Sequence, residues 1–377
     1  MNRRRLSGLE EETRSWRAAR FLPPVLLVVA VGASFLTPPD FTFANLLAAA
    51  PLVAAPLYSA RATALTGVLA TAALLWLMQV REGFDLFDGT LKAATVATVS
   101  VIAVGLNHVL RRSRKQLATV RDVAEAAQFA LLPVPERRLG PLHIAARYQA
   151  AQSHASIGGD LYAVQHTPYG VRMLVGDVRG KGMEAVGAVA IVLGAFREAA
   201  EEWKSLAEVA VRLDRALRRE GARRPATLDA VEGFTTAVLA EVTDDGLLRV
   251  VNCGHPPPLL IGADGAPRVL AASEPALPLG LAALPAGEAE AGAPTADETR
   301  FPPGGTLLLY TDGLTEARDP HGAFYDLPHR LRELDWTRPV PGALLDALLA
   351  DVSAYTHGAP TDDMALLAVT YTGHDAQ

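Results

Sequence analysis

The sequence is poor in cysteine, and through one long stretch it is poor in charge. A single cysteine, Cys253, excludes a disulfide framework, a cysteine-based zinc site and a CxxC redox centre. Between residues 21 and 110 only three basic and four acidic residues occur, too few for the surface of a soluble domain. Half of the 377 residues are hydrophobic, which excludes a disordered chain. What charge exists is unevenly spread. Residues 1–20 carry a net +3, residues 21–110 a net −1 and residues 111–377 a net −8. The chain therefore reads as a membrane piece followed by an acidic soluble piece, with room for two or three domains.

Four apolar stretches fill the first part, at about 18–36, 43–60, 62–80 and 91–110. Each is near the lower length limit for crossing a hydrocarbon core. The second is interrupted by Asn45, Pro51 and Pro56, so it could be kinked or re-entrant. Six arginines lie before or at the start of the first stretch, and Arg111, Arg112, Arg114 and Lys115 follow the last. The positive-inside rule then puts both ends in the cytoplasm and favours an even number of spans, four being the consistent count. Further apolar stretches follow the first and no small-residue cleavage site stands out, against a cleaved signal peptide. No charged cluster inside the spans marks a ligand site, so anchor and sensor both stand as roles.

Residues 111–132 read as one amphipathic helix. Leu117, Val120, Ala124, Ala127 and Leu131 fall at alternating three- and four-residue steps, and Pro133 and Pro135 end it. Two readings fit: a helix packed on the following domain, or a seam that forms a homodimer and transmits a signal. The expected division is a membrane domain at 1–110, a linker helix at 111–135 and a soluble domain at 136–377.

After Gly140 the pattern changes to short apolar strands, expected at 142–149, 171–178, 234–242, 247–252, 306–311 and 364–371. Helices are expected at 183–200, 206–220 and 343–355, and 282–299 reads as a solvated loop. The fold class is α+β. Acidic residues sit at the ends of these runs. Asp160 follows Gly158-Gly159, Asp177 ends Met173-Leu174-Val175-Gly176, Asp312 ends Leu307–Thr311, and Asp362-Asp363 open the last strand. One such aspartate is ordinarily a turn or cap residue. Four segments that all end in carboxylates repel one another unless a cation neutralises them, and an all-oxygen donor set suits Mg²⁺ or Mn²⁺.

Those same segments carry a resemblance. Gly158-Gly159-Asp160-Leu161-Tyr162, Gly176-Asp177-Val178-Arg179-Gly180-Lys181-Gly182, Asn252-Cys253-Gly254-His255-Pro256-Pro257, Thr311-Asp312-Gly313-Leu314-Thr315-Glu316-Ala317 and Asp362-Asp363-Met364 resemble, in order and spacing, the signature blocks of the SpoIIE/RsbU-type serine phosphatases. These are a bacterial branch of the PPM metal-dependent protein phosphatases. The resemblance covers about residues 125–371 and implies an αββα sandwich holding two Mn²⁺ or Mg²⁺ ions. It implies that Asp177 bridges the ions with the Val178 carbonyl as a further ligand, that Asp160 acts mainly through water, and that Asp312 and Asp362 complete the site. Between Asp362 and Asp363 the sequence does not choose. The implied function is hydrolysis of phosphoserine or phosphothreonine by a metal-activated water. The implied substrate is a phosphorylated anti-sigma factor antagonist of the STAS type, and the implied location is the cell membrane with the phosphatase domain in the cytoplasm.

Weaker signals stand beside these. His255 could protonate a leaving serine oxygen or simply hold a turn. Arg179 and Lys181 could attract phosphate or be plain exposed charges. The arginine run 212–224 is mixed with acids and lacks aromatics, which reads as a solvated helix face and not a nucleic-acid surface. Cys253 reads as a small buried hydrophobe. One departure from the family pattern is Ala163, where an aspartate is usual. It is the feature that would favour the alternative, a catalytically weak signalling module controlled by the membrane part.

Overall fold

The computed structural model describes residues 19–37, 43–80, 86–132, 134–150, 158–180, 182–222, 234–281, 294–333, 340–358 and 362–373. The chain forms two compact units, Met1–Val120 and Arg121–Gln377.

The first unit is helical: α1 Leu22–Leu36, α2 Ala44–Leu57, α3 Ala60–Val80, and α4, which begins at Leu86. Two of its helical segments, Ala60–Val80 and Phe87–Gln116, are long and apolar enough to cross a membrane, while α1 and α2 are shorter apolar helices of 15 and 14 residues. Apolar side chains face both inward, as Leu47, Leu74 and Leu77 do, and outward. Small residues such as Ala30, Ala50, Ala54 and Ala70 are buried, whereas Val28, Leu36, Val68 and Val101 lie outward. Asn107 on α4 is one of the buried polar residues of this unit, with Ser34, Thr63 and Thr66. Its buried amide donates to the carbonyls of Ala55 (2.6 Å) and Tyr58 (2.9 Å) at the end of α2. Those terminal carbonyls have no partner within their own helix.

Helix α4 runs unbroken from Leu86 to Leu131, 46 residues. The expected fourth span and linker are therefore one helix, because nothing between His108 and Lys115 breaks it and Arg and Lys are good helix formers. The seam side chains Leu117, Val120, Ala124 and Ala127 lie outside the described residues. Leu131 packs on the core of the second unit.

The second unit stacks two antiparallel sheets between helix layers. In chain order the strands are β1 Arg138–Leu139, β2 Leu142–Gln149, β3 Asp160–Thr167, β4 Gly170–Val178, β5 Thr235–Val242, β6 Leu247–Cys253, β7 Leu259–Ile261, β8 Pro267–Val269, β9 Asp297–Arg300, β10 Thr306–Tyr310 and β11 Met364–Tyr371. One sheet has the order β1-β2-β11-β10-β7-β8 and the other β3-β4-β5-β6-β9. Helices α5 Met183–Glu202 and α6 Leu206–Gly221 cover the second sheet. After the short α7 Asp312–Thr315, helices α8 Leu327–Glu333 and α9 Pro341–Tyr355 cover the first.

Strand β11 shows why its sequence is apolar throughout. Ala365, Leu367 and Val369 enter the core between the sheets, while Met364, Leu366 and Ala368 pack toward α8 and α9. Both faces are covered, so alternation disappears. All six expected strands agree with the observed ones to within one residue at either end. The polar β9, Asp297–Arg300, overlaps the end of the stretch expected to be loop. It is a half-exposed edge strand paired to β6, with no apolar signal to announce it. Residues 282–293 of that stretch lie outside the described ones.

Candidate metal centre

Four strands end at one rim of the sandwich. The β3–β4 hairpin places Asp160 directly opposite Asp177. From the other sheet, β10 ends at Tyr310 and delivers Thr311 and Asp312, while Asp362-Asp363 lead into β11. One carboxylate oxygen each of Asp160, Asp177 and Asp312 lies within 4.8 Å of the others. All six site residues expected from the sequence (Asp160, Asp177, Val178, Asp312, Asp362 and Asp363) line a single cavity of about 290 Å³. Asp363 is buried and Asp362 exposed.

Glycines make this convergence possible. A Cβ on Gly159 would sit 2.0 Å from the Val178 carbonyl oxygen and 2.8 Å from Asp177 Oδ1, and one on Gly158 would sit 1.8 Å from Asp363 Oδ2. No real side chain tolerates such distances, so the Gly-Gly pair is what lets the start of β3 close on the other two segments. Gly313 plays the same part against the Asp363 carbonyl. Thr311 locks the arrangement. Its hydroxyl donates to Asp160 Oδ2 at 2.6 Å and accepts from the Ala365 N–H at 2.9 Å, joining β3, β10 and β11.

The electrostatics are those of crowded acids. Burial, then the charge of Asp177, pushes the Asp160 carboxyl well above the usual carboxylate range, with the Thr311 bond offsetting part of it. Burial, then Asp312 and Asp362, pushes Asp177 up to about 7. Asp312 is raised by burial, Glu316 and Asp362. Such a set is unfavourable as a metal-free cluster and favourable around a hard cation. Carboxylates with a neighbouring backbone carbonyl form the donor set Mg²⁺ and Mn²⁺ take, so these residues fit a divalent ion.

His255 is not placed to donate a proton. It is buried, with Nδ1 3.0 Å from Thr236 Oγ1 and Nε2 3.0 Å from the Tyr310 carbonyl, and burial pulls its pKa down to about 4. Arg179 lines the cavity, its guanidinium over the Phe234 ring. Lys181 lies outside the described residues. Cys253 is buried with its thiol pushed up to about 12, an inert hydrophobe. Ala163 alternates with Asp160 on β3 and so faces the opposite side of the sheet. There it borders a separate cavity with Phe196 and Arg197 of α5. Sequence reasoning assigned no role to Thr311 or Thr236. The signal for Thr311 was its place between a buried strand and an aspartate of the acidic cluster.

The comparisons agree with this architecture. A family model described as Stage II sporulation protein E (SpoIIE) matches residues 167–372. Protein IcfG of Synechocystis sp. is 26% identical over 126 residues, which is 33% of this chain and 18% of that protein. The chain thus spans under a fifth of that curated relative. Among solved structures, the SiaA-PP2C domain of Pseudomonas aeruginosa matches with a TM-score of 0.55 and 23% identity, covering 69% of this chain and 98% of that one. The RsbU and RsbW domains of Rv1364c from Mycobacterium tuberculosis match at 23% identity with a TM-score of 0.43, covering 61% and 59%. At these identities the structural likeness bears on the fold.

Proposed function

The chain belongs to the SpoIIE family of PP2C-type protein serine/threonine phosphatases, and from that premise we propose that it is a membrane-anchored enzyme that uses two Mn²⁺ or Mg²⁺ ions to hydrolyse phosphoserine or phosphothreonine on a regulatory protein. The observation that carries this is the convergence of Asp160, Asp177 and Asp312 within 4.8 Å, at a rim where Asp362 and Asp363 also stand.

In this reading Asp177 and the Val178 carbonyl, with Asp160, Asp312 and one of Asp362 and Asp363, would hold the ions. When bound, the ions supply positive charge to the phosphoryl oxygens and make water in the site more acidic. The chain's own groups do the rest. Thr311 orients the Asp160 carboxylate. Arg179, at the cavity wall, offers a guanidinium to the phosphoryl group. Among the described residues the lining has no serine, cysteine or histidine, and the Thr236 hydroxyl is engaged by His255. This supports water as the attacking group.

Membrane anchoring is supported by the two long apolar helices, the outward-facing apolar side chains and the arginines flanking the apolar region. We assign four spans with the phosphatase unit cytoplasmic, the divisions 1–110, 111–135 and 136–377, and a homodimer through the 111–132 seam. The substrate class carried over from the family resemblance is a phosphorylated STAS-type anti-sigma factor antagonist. Calorimetric titration of the full chain in detergent with Mn²⁺ tests the centre: two ions per chain are expected, and a folded protein that binds none contradicts it.

A further inference from the structure

His255 is a buried, polar, titratable side chain for which the chemistry above has no use. It sits in the turn that follows β6, and the turn is braced by Asn252. The Asn252 amide donates to the His255 carbonyl and accepts from the His255 N–H, both at 2.8 Å. The ring's tautomer follows from its partners. The Tyr310 carbonyl can only accept, so Nε2 carries the proton, and Nδ1 accepts from the Thr236 hydroxyl. With its pKa held near 4, the ring keeps this neutral, two-ended form at physiological pH.

The two partners belong to different sheets. Thr236 is in β5 and pairs across the ladder with Asp177. Tyr310 ends β10, immediately before Thr311 and Asp312. The imidazole therefore spans the gap between the sheets directly behind the acidic cluster. Asp312 and Asp177 repel each other, and that repulsion acts to open the same gap.

We propose that His255 is a positioning residue that ties β5 to the end of β10 and so sets the separation of Asp177 and Asp312 at which a divalent ion is bound. A neutral donor–acceptor bridge does this without adding charge to the rim, which an arginine or lysine clamp would do. The inference rests on the metal-site reading given above. His255 touches neither substrate nor ligand carboxylate.

The test uses the full chain in detergent, Mn²⁺ as the probe and calorimetry as the readout, with thermal unfolding alongside. His255→Leu removes both bonds, Thr236→Val removes one at nearly constant volume, and His255→Gln keeps a donor and an acceptor on one side chain. The expected result is Mn²⁺ binding weakened about 10-fold by His255→Leu, in the range typical of groups that orient metal ligands. Thr236→Val should weaken binding in the same direction, and His255→Gln should recover most of the affinity. A merely structural histidine would give lower unfolding temperatures with unchanged Mn²⁺ affinity, and that result overturns the inference. Should His255→Leu fail to fold, Thr236→Val decides: affinity equal to wild type refutes the bridge. Wild-type protein that binds no Mn²⁺ overturns the metal-site reading, and this inference with it. Wild-type binding that all three variants match overturns the inference alone.

Discussion

Asp177→Asn should stabilise the metal-free protein while destroying the metal site. Burial and the charges of Asp312 and Asp362 push Asp177 from 3.8 up to about 7, so the native state holds this proton to higher pH than the unfolded chain does. The stability it contributes is fully present below about 3.8 and is lost as pH rises through about 7. At about 1.4 kcal/mol per pKa unit, the ionised carboxylate costs at most roughly 4 kcal/mol at pH 8. The neighbouring acids share this repulsion and the cavity admits water, so a gain of about 1–2 kcal/mol is expected on neutralising the group. For a unit of this size that is roughly 3–6 °C in unfolding temperature. The assay is thermal unfolding of the full chain in detergent with EDTA, at pH 5 and pH 8. The variant should melt higher at pH 8, and the difference should shrink at pH 5. Adding Mn²⁺ should invert the order, because the ion stabilises only the form that binds it. A variant that melts below wild type in EDTA at pH 8 would refute the reasoning, since it would mean the Asp177 charge is well accommodated without metal.

Two further outcomes follow from the packing. Gly159→Ala drives a Cβ to within 2.0 Å of the Val178 carbonyl oxygen; it should lower stability by about 1–3 kcal/mol and abolish the Mn²⁺-induced rise in unfolding temperature. Arg172 is fully buried, bonded through Nε to Glu241 and through Nη1 and Nη2 to the carbonyls of Ala200, in the last turn of α5, and Lys204, just past its end. Arg172→Met should lower stability by about 2–3 kcal/mol in chemical denaturation, because the buried Glu241 loses one of its two arginine partners and keeps the part-exposed Arg249, and a second substitution, Glu241→Leu, should recover part of the loss.

How far the sequence exposed this site depends on the range of the interactions. Apolar runs ending in an acid, such as Met173–Asp177 and Leu307–Asp312, are local signals, and β11 matches the sequence expectation residue for residue. The strand β3 escaped because Gly158-Gly159-Asp160 reads as a turn, and only its pairing with β4 turns Leu161-Tyr162-Ala163 into a ladder. The bond from Thr311 to Asp160 joins residues 151 positions apart, and the His255 bridge joins residues 55 apart. Contacts of that kind depend on sheet order and register, which local periodicity does not encode. In the helical unit, apolar composition marked the helices, but the role of Asn107 depends on the end of α2 lying against it.

The most direct test of the central claim is phosphate release from a phosphoserine peptide by the full chain in detergent, with Mn²⁺ or with EDTA, beside Asp177→Asn. Turnover that requires Mn²⁺ and disappears in the variant is the predicted result. Turnover that persists in EDTA, or that the variant retains, would contradict a carboxylate-held metal centre as the source of the chemistry.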